Sequence, residues 1–259
     1  MAEEKWKTAI TKIEPNKIAM KGYPVEQLMG QIPFGHVVFL LLKGELPSKE
    51  QGLLMDAMLV SSIDHGATPP SALAARTVAS GGASLTTAMA AGISAINRYH
   101  GGAIEGCMRV LLEAVEREQG SGKDTATVAS EMVDEYRAAK RRIPGYGHRL
   151  HTEDPRSVRL FALAGELGMS GEYVEMAHAI RAAMKEKLGR DLPMNVDGAI
   201  ATMLCEMDFP PEMSNGIFAI SRSGGLVAQV YEEQARMRPM RPIDPSAHEY
   251  DGPPERKVK

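Results

Sequence analysis

The chain has 259 residues, 44% hydrophobic and 24% charged, with a formal net charge of −3. That length supports one large domain or two modest ones with real cores, and the composition is that of a soluble globular protein. The acidic balance argues against a primary nucleic-acid partner, and no apolar run marks a secretion signal or a membrane span, so a cytoplasmic enzyme or binding protein is expected.

Thr8–Met20 holds short β-like pieces broken by Pro15-Asn16, which predicts a small hairpin. Helical patterns dominate after it. Phe34–Lys43 is an apolar helix closed by Gly44 and Pro47. Ser48 and Gln51 have capping-box spacing for the next helix. Ser84–Tyr99 is rich in Ala, Gly and Thr, which predicts a helix at a crowded helix–helix or subunit contact. Met108, Leu111, Leu112 and Val115 share one helical face, as do Met176, Ala177, Ile180, Ala183 and Met184. Gly120-Ser121-Gly122 reads as a loop. A helix over Thr125–Lys140 ends in Lys140, Arg141 and Arg142, cations suited to a helix C-terminus. The tail from Arg238 is proline-rich and should run extended. The strand–helix alternation of a parallel sheet is absent, so the fold class is mainly α.

Several chemistries lack their motifs. Cys107 and Cys205 are the only cysteines, too few for a disulfide framework or a cysteine metal site, and are expected as free thiols in apolar packing. Gly122-Lys123-Asp124 lacks the earlier glycine and the Ser/Thr of a phosphate loop. Gly145-Tyr146-Gly147 has Leu150 where a dinucleotide fingerprint needs a third glycine. The histidines have no zinc-site spacing, so no metal is expected.

The most informative run is Ile143-Pro144-Gly145-Tyr146-Gly147-His148-Arg149, followed by Asp154-Pro155-Arg156. Two close glycines let a ligand approach the backbone, and a histidine leaves that turn with a cation eight residues later. The pattern suits a titratable ring held beside a carboxylate-bearing substrate. His65, His100 and His148 each neighbour a glycine, while His36, His178 and His248 have no such setting and His151 only adjoins the key turn. Asp197 reads equally well as a helix N-cap or as a functional carboxylate. Arg222 sits among small and apolar residues, where a charge is costly unless paired, and this favours a ligand-binding role.

These segments resemble the citrate synthase superfamily. Gly22–Leu28 and Leu41–Pro47 resemble its N-terminal segments. Asp64-His65, His100–Ala103, Pro144–His148, Asp154–Arg156, Asn195–Asp197 and Ser221-Arg222 follow in the family's order. The resemblance implies a two-domain citrate synthase-like fold with a shortened large domain. Residues 1–100 and 209–259 would form the large, dimerisation domain, and residues 101–208 the small, coenzyme A-binding one. It implies a homodimer or higher homo-oligomer, with His100, His148 and Asp197 carrying the chemistry. His65, Arg156, Arg222 and Arg241 would bind the oxaloacetate-like part, Arg241 reaching the partner subunit's site. Pro144, Gly145, Tyr146 and Gly147 would lie against the adenine of coenzyme A, with Lys187 and Arg190 meeting its phosphates. No cofactor would be bound permanently, since coenzyme A belongs to substrate and product.

The chain departs from typical citrate synthases in three ways. It is much shorter, between Glu50 and Asp64. The step from His148 to Arg156 is one residue shorter, and Asn97-Arg98-Tyr99 precedes His100. A compact chain with these motifs is similar to stand-alone citryl-CoA lyase and to the C-terminal module of ATP-citrate lyase. The implied reaction is metal-free cleavage of citryl-CoA to acetyl-CoA and oxaloacetate, with a citryl-CoA synthetase as a conceivable partner. The alternatives are a citrate or 2-methylcitrate synthase and a non-catalytic coenzyme A-binding subunit.

Overall fold

A computed structural model describes residues 6–148, 151–242 and 244–258. A small antiparallel sheet, β1 (Thr11–Glu14), β2 (Lys17–Met20) and β3 (Tyr23–Pro24), precedes a helical body. The expected hairpin turns at Asn16, which takes a left-handed conformation (φ 60°). The third strand, only two residues long, carries no alternation that a sequence reading could find.

The body contains α1 (Val25–Leu28), α2 (Phe34–Lys43), α3 (Lys49–Ser62), α4 (Pro70–Ser80), α5 (Leu85–Ser94), α6 (Gly102–Ser121), α7 (Thr125–Ala138), α8 (Pro155–Glu166), α9 (Glu172–Leu188), α10 (Val196–Glu206) and α11 (Ser214–Arg236). Helix α2 has the expected bounds and ends on Gly44 at φ 97°. The Ser48–Gln51 capping box forms at α3.

Three expected boundaries move. The helix expected over Ser84–Tyr99 stops at Ser94, because the chain folds back at Asn97–His100. Gly120 and Ser121 belong to α6, and only Gly122, at φ 68°, stops that helix. Helix α7 stops at Ala138, two residues early, and Lys140 turns left-handed (φ 52°).

Helix α10 is the centre of the body. Eight consecutive positions, Gly198 to Cys205, together with Val196, are buried, leaving Asp197 at the cavity end. The faces of α6 and α9 pack around it, with Met108, Leu111, Met176 and Ile180 fully buried. Cys107 and Cys205 are buried free thiols, as expected. A smaller cluster joins α4, α5 and α11 through Ala75, Ala79, Ala88, Leu226 and Val230. There the small residues serve close helix packing: a Cβ on Gly92 would lie 2.9 Å from the Ser71 carbonyl oxygen. No helix among the described residues is long and apolar enough to cross a membrane.

Candidate active site

The Pro144–Gly147 turn is locked to the entrance of α10. Gly147 N–H donates to Pro193 O (2.7 Å), Asn195 N–H to Gly145 O (3.0 Å), and the Asn195 amide to Gly147 O (2.9 Å). Gly145, at φ 85°, packs so closely that a Cβ would lie 2.8 Å from both Cys107 Sγ and Gly198 Cα. The Tyr146 hydroxyl donates to Ala177 O (2.9 Å). These contacts fix His148 and Asp197 relative to one another.

Asn195, rather than Asp197, caps α10: its side chain accepts from Gly198 N–H at 3.1 Å. The N-cap reading of Asp197 therefore fails. Asp197 stands half-buried in the first turn and lines a cavity of about 570 Å³ with His65, His100, His148, Arg156 and Arg222. Six of the seven residues expected to carry chemistry or bind the oxo-acid part thus meet around one space. Burial pushes the Asp197 carboxyl up from 3.8 to about 6, against the pull of Arg156 and Arg222.

Arg222 is only 4% exposed and has no carboxylate within ion-pair distance among the described residues. Its Nε donates to Ser62 O (3.0 Å), one guanidinium N–H donates to Ser71 Oγ (3.3 Å), and the group lies 4.8 Å from the Phe218 ring centre. Burial lowers its pKa. A buried cation without an anion is a site prepared for an anionic ligand.

Ser71, 0% exposed, also lies 2.8 Å from His100 Nε2. Ser71 Oγ therefore bridges the Arg222 guanidinium and His100 Nε2. Burial, then Arg222 and His65, lowers the His100 pKa and keeps the ring neutral. For His148, Nδ1 accepts from His151 N–H (3.1 Å), which puts the proton of the neutral ring on Nε2. Burial and His151 lower its pKa, and burial and Arg156 that of His65.

Asp154, 0% exposed, N-caps α8, accepts from Arg156 Nε (3.0 Å) and Nη2 (2.8 Å), and also accepts from Val196 N–H (3.1 Å). Burial opposes its ionisation, but Arg156 and the two backbone N–H groups hold the carboxyl below its ordinary range. Arg156 is thereby aimed at the cavity, 3.5 Å from His65 Nδ1.

A second cavity, about 560 Å³, adjoins the first at Gly147 and His148. Its walls include Tyr146, Leu188 and Leu192, with Arg137, Arg141, Arg142 and Arg190 among its polar groups. Sequence reading found Arg190 but took Arg141 and Arg142 only as helix-end charges. Lys187 is not part of this lining: it pairs with Asp134 across α7 and α9. Pro144 packs behind the turn, against Gly106. Arg241 lies away from both cavities of its own chain. It joins Glu233, a buried carboxylate already held by Arg76 (2.7 Å). Among the described residues no cluster of His, Cys, Asp and Glu could hold a metal ion.

The citrate synthase C-terminal domain family matches residues 51–243. The chain belongs to the citrate synthase family. Within that family it is 31% identical over 207 residues to a citrate synthase of Haloferax volcanii, covering 78% of this chain and 52% of that one. The chain spans about half the length of the curated relatives it matches. A solved citryl-CoA lyase from Hydrogenobacter thermophilus is 41% identical, with a TM-score of 0.89, covering 98% of this chain and 97% of the other. An ATP citrate lyase from Methanothrix soehngenii, solved with citrate and coenzyme A, shares the fold (TM-score 0.84, 22% identity) over 98% of this chain and 43% of that chain. The shortened citrate synthase fold expected from the motifs is the fold observed.

Proposed function

We propose that the chain is a citryl-CoA lyase, cleaving citryl-CoA to acetyl-CoA and oxaloacetate. The observation that carries the reading is the single cavity uniting a carboxyl of raised pKa, neutral histidines and a buried arginine that lacks an anion. Greater likeness to a citryl-CoA lyase, 41% identical, than to a citrate synthase, 31% identical, favours cleavage over synthesis.

In this reading Arg156 and Arg222 bind the carboxylates of the oxaloacetate moiety by charge-assisted hydrogen bonds. His148 takes the proton of the tertiary hydroxyl as the carbon–carbon bond breaks. Taking it at Nε2 requires the ring's own proton on Nδ1, so Nδ1 gives up its bond from His151 N–H when substrate binds. His100 donates to the thioester oxygen as negative charge develops there. Asp197 then delivers its proton to the enol carbon and forms the methyl group of acetyl-CoA. The arginine-lined cavity takes the phosphates of coenzyme A, and Tyr146 and Gly147 the adenine. The division into residues 1–100 plus 209–259 and residues 101–208 puts walls of the catalytic cavity in both parts. A homodimer is part of the proposal, supported by Leu73 on α4 and by Val227 and Tyr231 on α11, which are exposed on the single chain.

Purified protein given citryl-CoA, with separate assays for oxaloacetate and free thiol, tests the reading. Oxaloacetate with little free coenzyme A supports the lyase. Free coenzyme A and citrate from acetyl-CoA plus oxaloacetate would replace it with a synthase. Binding without either product would leave a coenzyme A-binding subunit.

A further inference from the structure

The segment between α5 and α6 is a tight turn. Asn97 N–H donates to His100 O and His100 N–H donates to Asn97 O, both at 2.8 Å. The Asn97 side chain accepts from Arg98 N–H (2.8 Å), and Gly102 N–H donates to Asn97 O (3.2 Å). Gly101, at φ 92°, seats the base of the turn so tightly that a Cβ would lie 3.1 Å from both Ile96 and Phe218. The turn is therefore rigid, and it carries Arg98 and Tyr99 at its tip.

Tyr99 lines the catalytic cavity yet is 91% exposed. The Arg98 guanidinium lies 5.4 Å from its ring centre. An aromatic ring held over solvent on a fixed turn gains nothing for the folded chain by itself. Its neighbours at the cavity are His65, His148, Arg156 and Asp197, groups whose chemistry weakens in bulk water.

Resting on the lyase reading, we infer that Tyr99 covers the bound acyl group and keeps water from its thioester carbonyl. Water reaching that carbon would add its oxygen and break the carbon–sulfur bond. The thiolate would take up a proton, giving citrate and free coenzyme A. With the ring in place, the carbon–carbon bond breaks instead and coenzyme A leaves as its acetyl thioester.

The test is the ratio of free thiol to oxaloacetate formed from citryl-CoA. Tyr99→Ala raises that ratio at least about tenfold, and Tyr99→Phe restores the wild-type value, because the ring and not the hydroxyl is the barrier. An unchanged ratio in Tyr99→Ala overturns the inference. A second readout avoids turnover. Tetranitromethane nitrates exposed tyrosines, and peptide mapping follows Tyr99 against the exposed Tyr250. Saturating oxaloacetate plus coenzyme A protects Tyr99 alone; equal nitration with and without them overturns the inference. Wild-type protein that makes no oxaloacetate from citryl-CoA refutes the lyase reading instead, and the nitration result then judges Tyr99 by itself.

Discussion

Asp197→Asn should make the ligand-free protein more stable while removing its activity. The carboxyl is pushed from 3.8 to about 6 by burial at the head of α10. A carboxyl with a raised folded pKa binds protons in the native state that the unfolded chain has already lost. The penalty is therefore absent below the unfolded value of 3.8 and grows as pH rises. Above about 6 it is fully present. Moving the carboxyl from 3.8 to about 6 is worth about 3 kcal/mol. The N-terminus of α10 attracts the carboxylate by about 0.3–1 kcal/mol, an attraction that asparagine loses. A net gain of about 2 kcal/mol remains, or roughly 4 to 8 °C in melting temperature for a chain of this size.

Thermal melts of both proteins at matched pH between 4 and 8 measure the difference, and every other carboxylate cancels in the comparison. The variant's advantage should be near zero at pH 4 and reach its full size above pH 6. Turnover of citryl-CoA should fall by at least about 100-fold, since no other carboxyl among the described residues lines that cavity. A variant no more stable than wild type at pH 7, or equally favoured at pH 4, would show that Asp197 is not an ionised carboxylate under strain.

Cleavage needs Asp197 protonated, so its rate should fall about tenfold per pH unit above about 6, whereas condensation in the reverse direction should fall below that pH; single-turnover rates both ways check this. Ser71→Ala frees the His100 ring and leaves an Arg222 N–H without its acceptor, so kcat should drop about 10- to 100-fold with coenzyme A affinity unchanged; an equal loss in both would make Ser71 merely structural. Asp154→Asn weakens the bidentate hold on Arg156, and denaturant melts should register a loss of about 3 kcal/mol together with a raised KM. Arg142→Ala should raise the KM for citryl-CoA about tenfold and flatten its salt dependence, which titrations between low and high ionic strength would reveal.

Much of this was legible in the sequence where local chemistry decides the outcome. The α2 bounds, the Ser48 capping box and the buried faces of α6 and α9 follow from residues in contact along one helix. The turn at Gly145–Gly147 was legible because two glycines so close to a histidine have few structural uses. The helix through Ser84–Tyr99 was overextended because Asn97 ends it with backbone bonds to His100, and those follow from the tertiary path of the chain. Ser71 was not legible at all: 29 residues separate it from His100, and only the crossing of α4 and α11 brings it to Arg222 as well. Arg141 and Arg142 carried an adequate local explanation as helix-end charges, which hid their place beside the second cavity.

The same contrast explains how the site is built. The groups proposed to meet substrate come from separate stretches of chain, and Arg156, Arg222 and His100 are each held by a partner that has no reacting role. Asp154 serves twice, as anchor of Arg156 and as acceptor for the first N–H of α10, the helix that carries Asp197. Ser71 likewise touches both the cation that binds the carboxylate and the histidine that faces the thioester. Occupation of Arg222 by a carboxylate therefore alters the hydrogen bonding of His100 through one hydroxyl. Binding at the oxo-acid end is physically coupled to the donor needed at the acyl end. That coupling favours reaction only when the whole substrate spans the cavity, a property suited to cleaving one large acyl thioester rather than hydrolysing small ones.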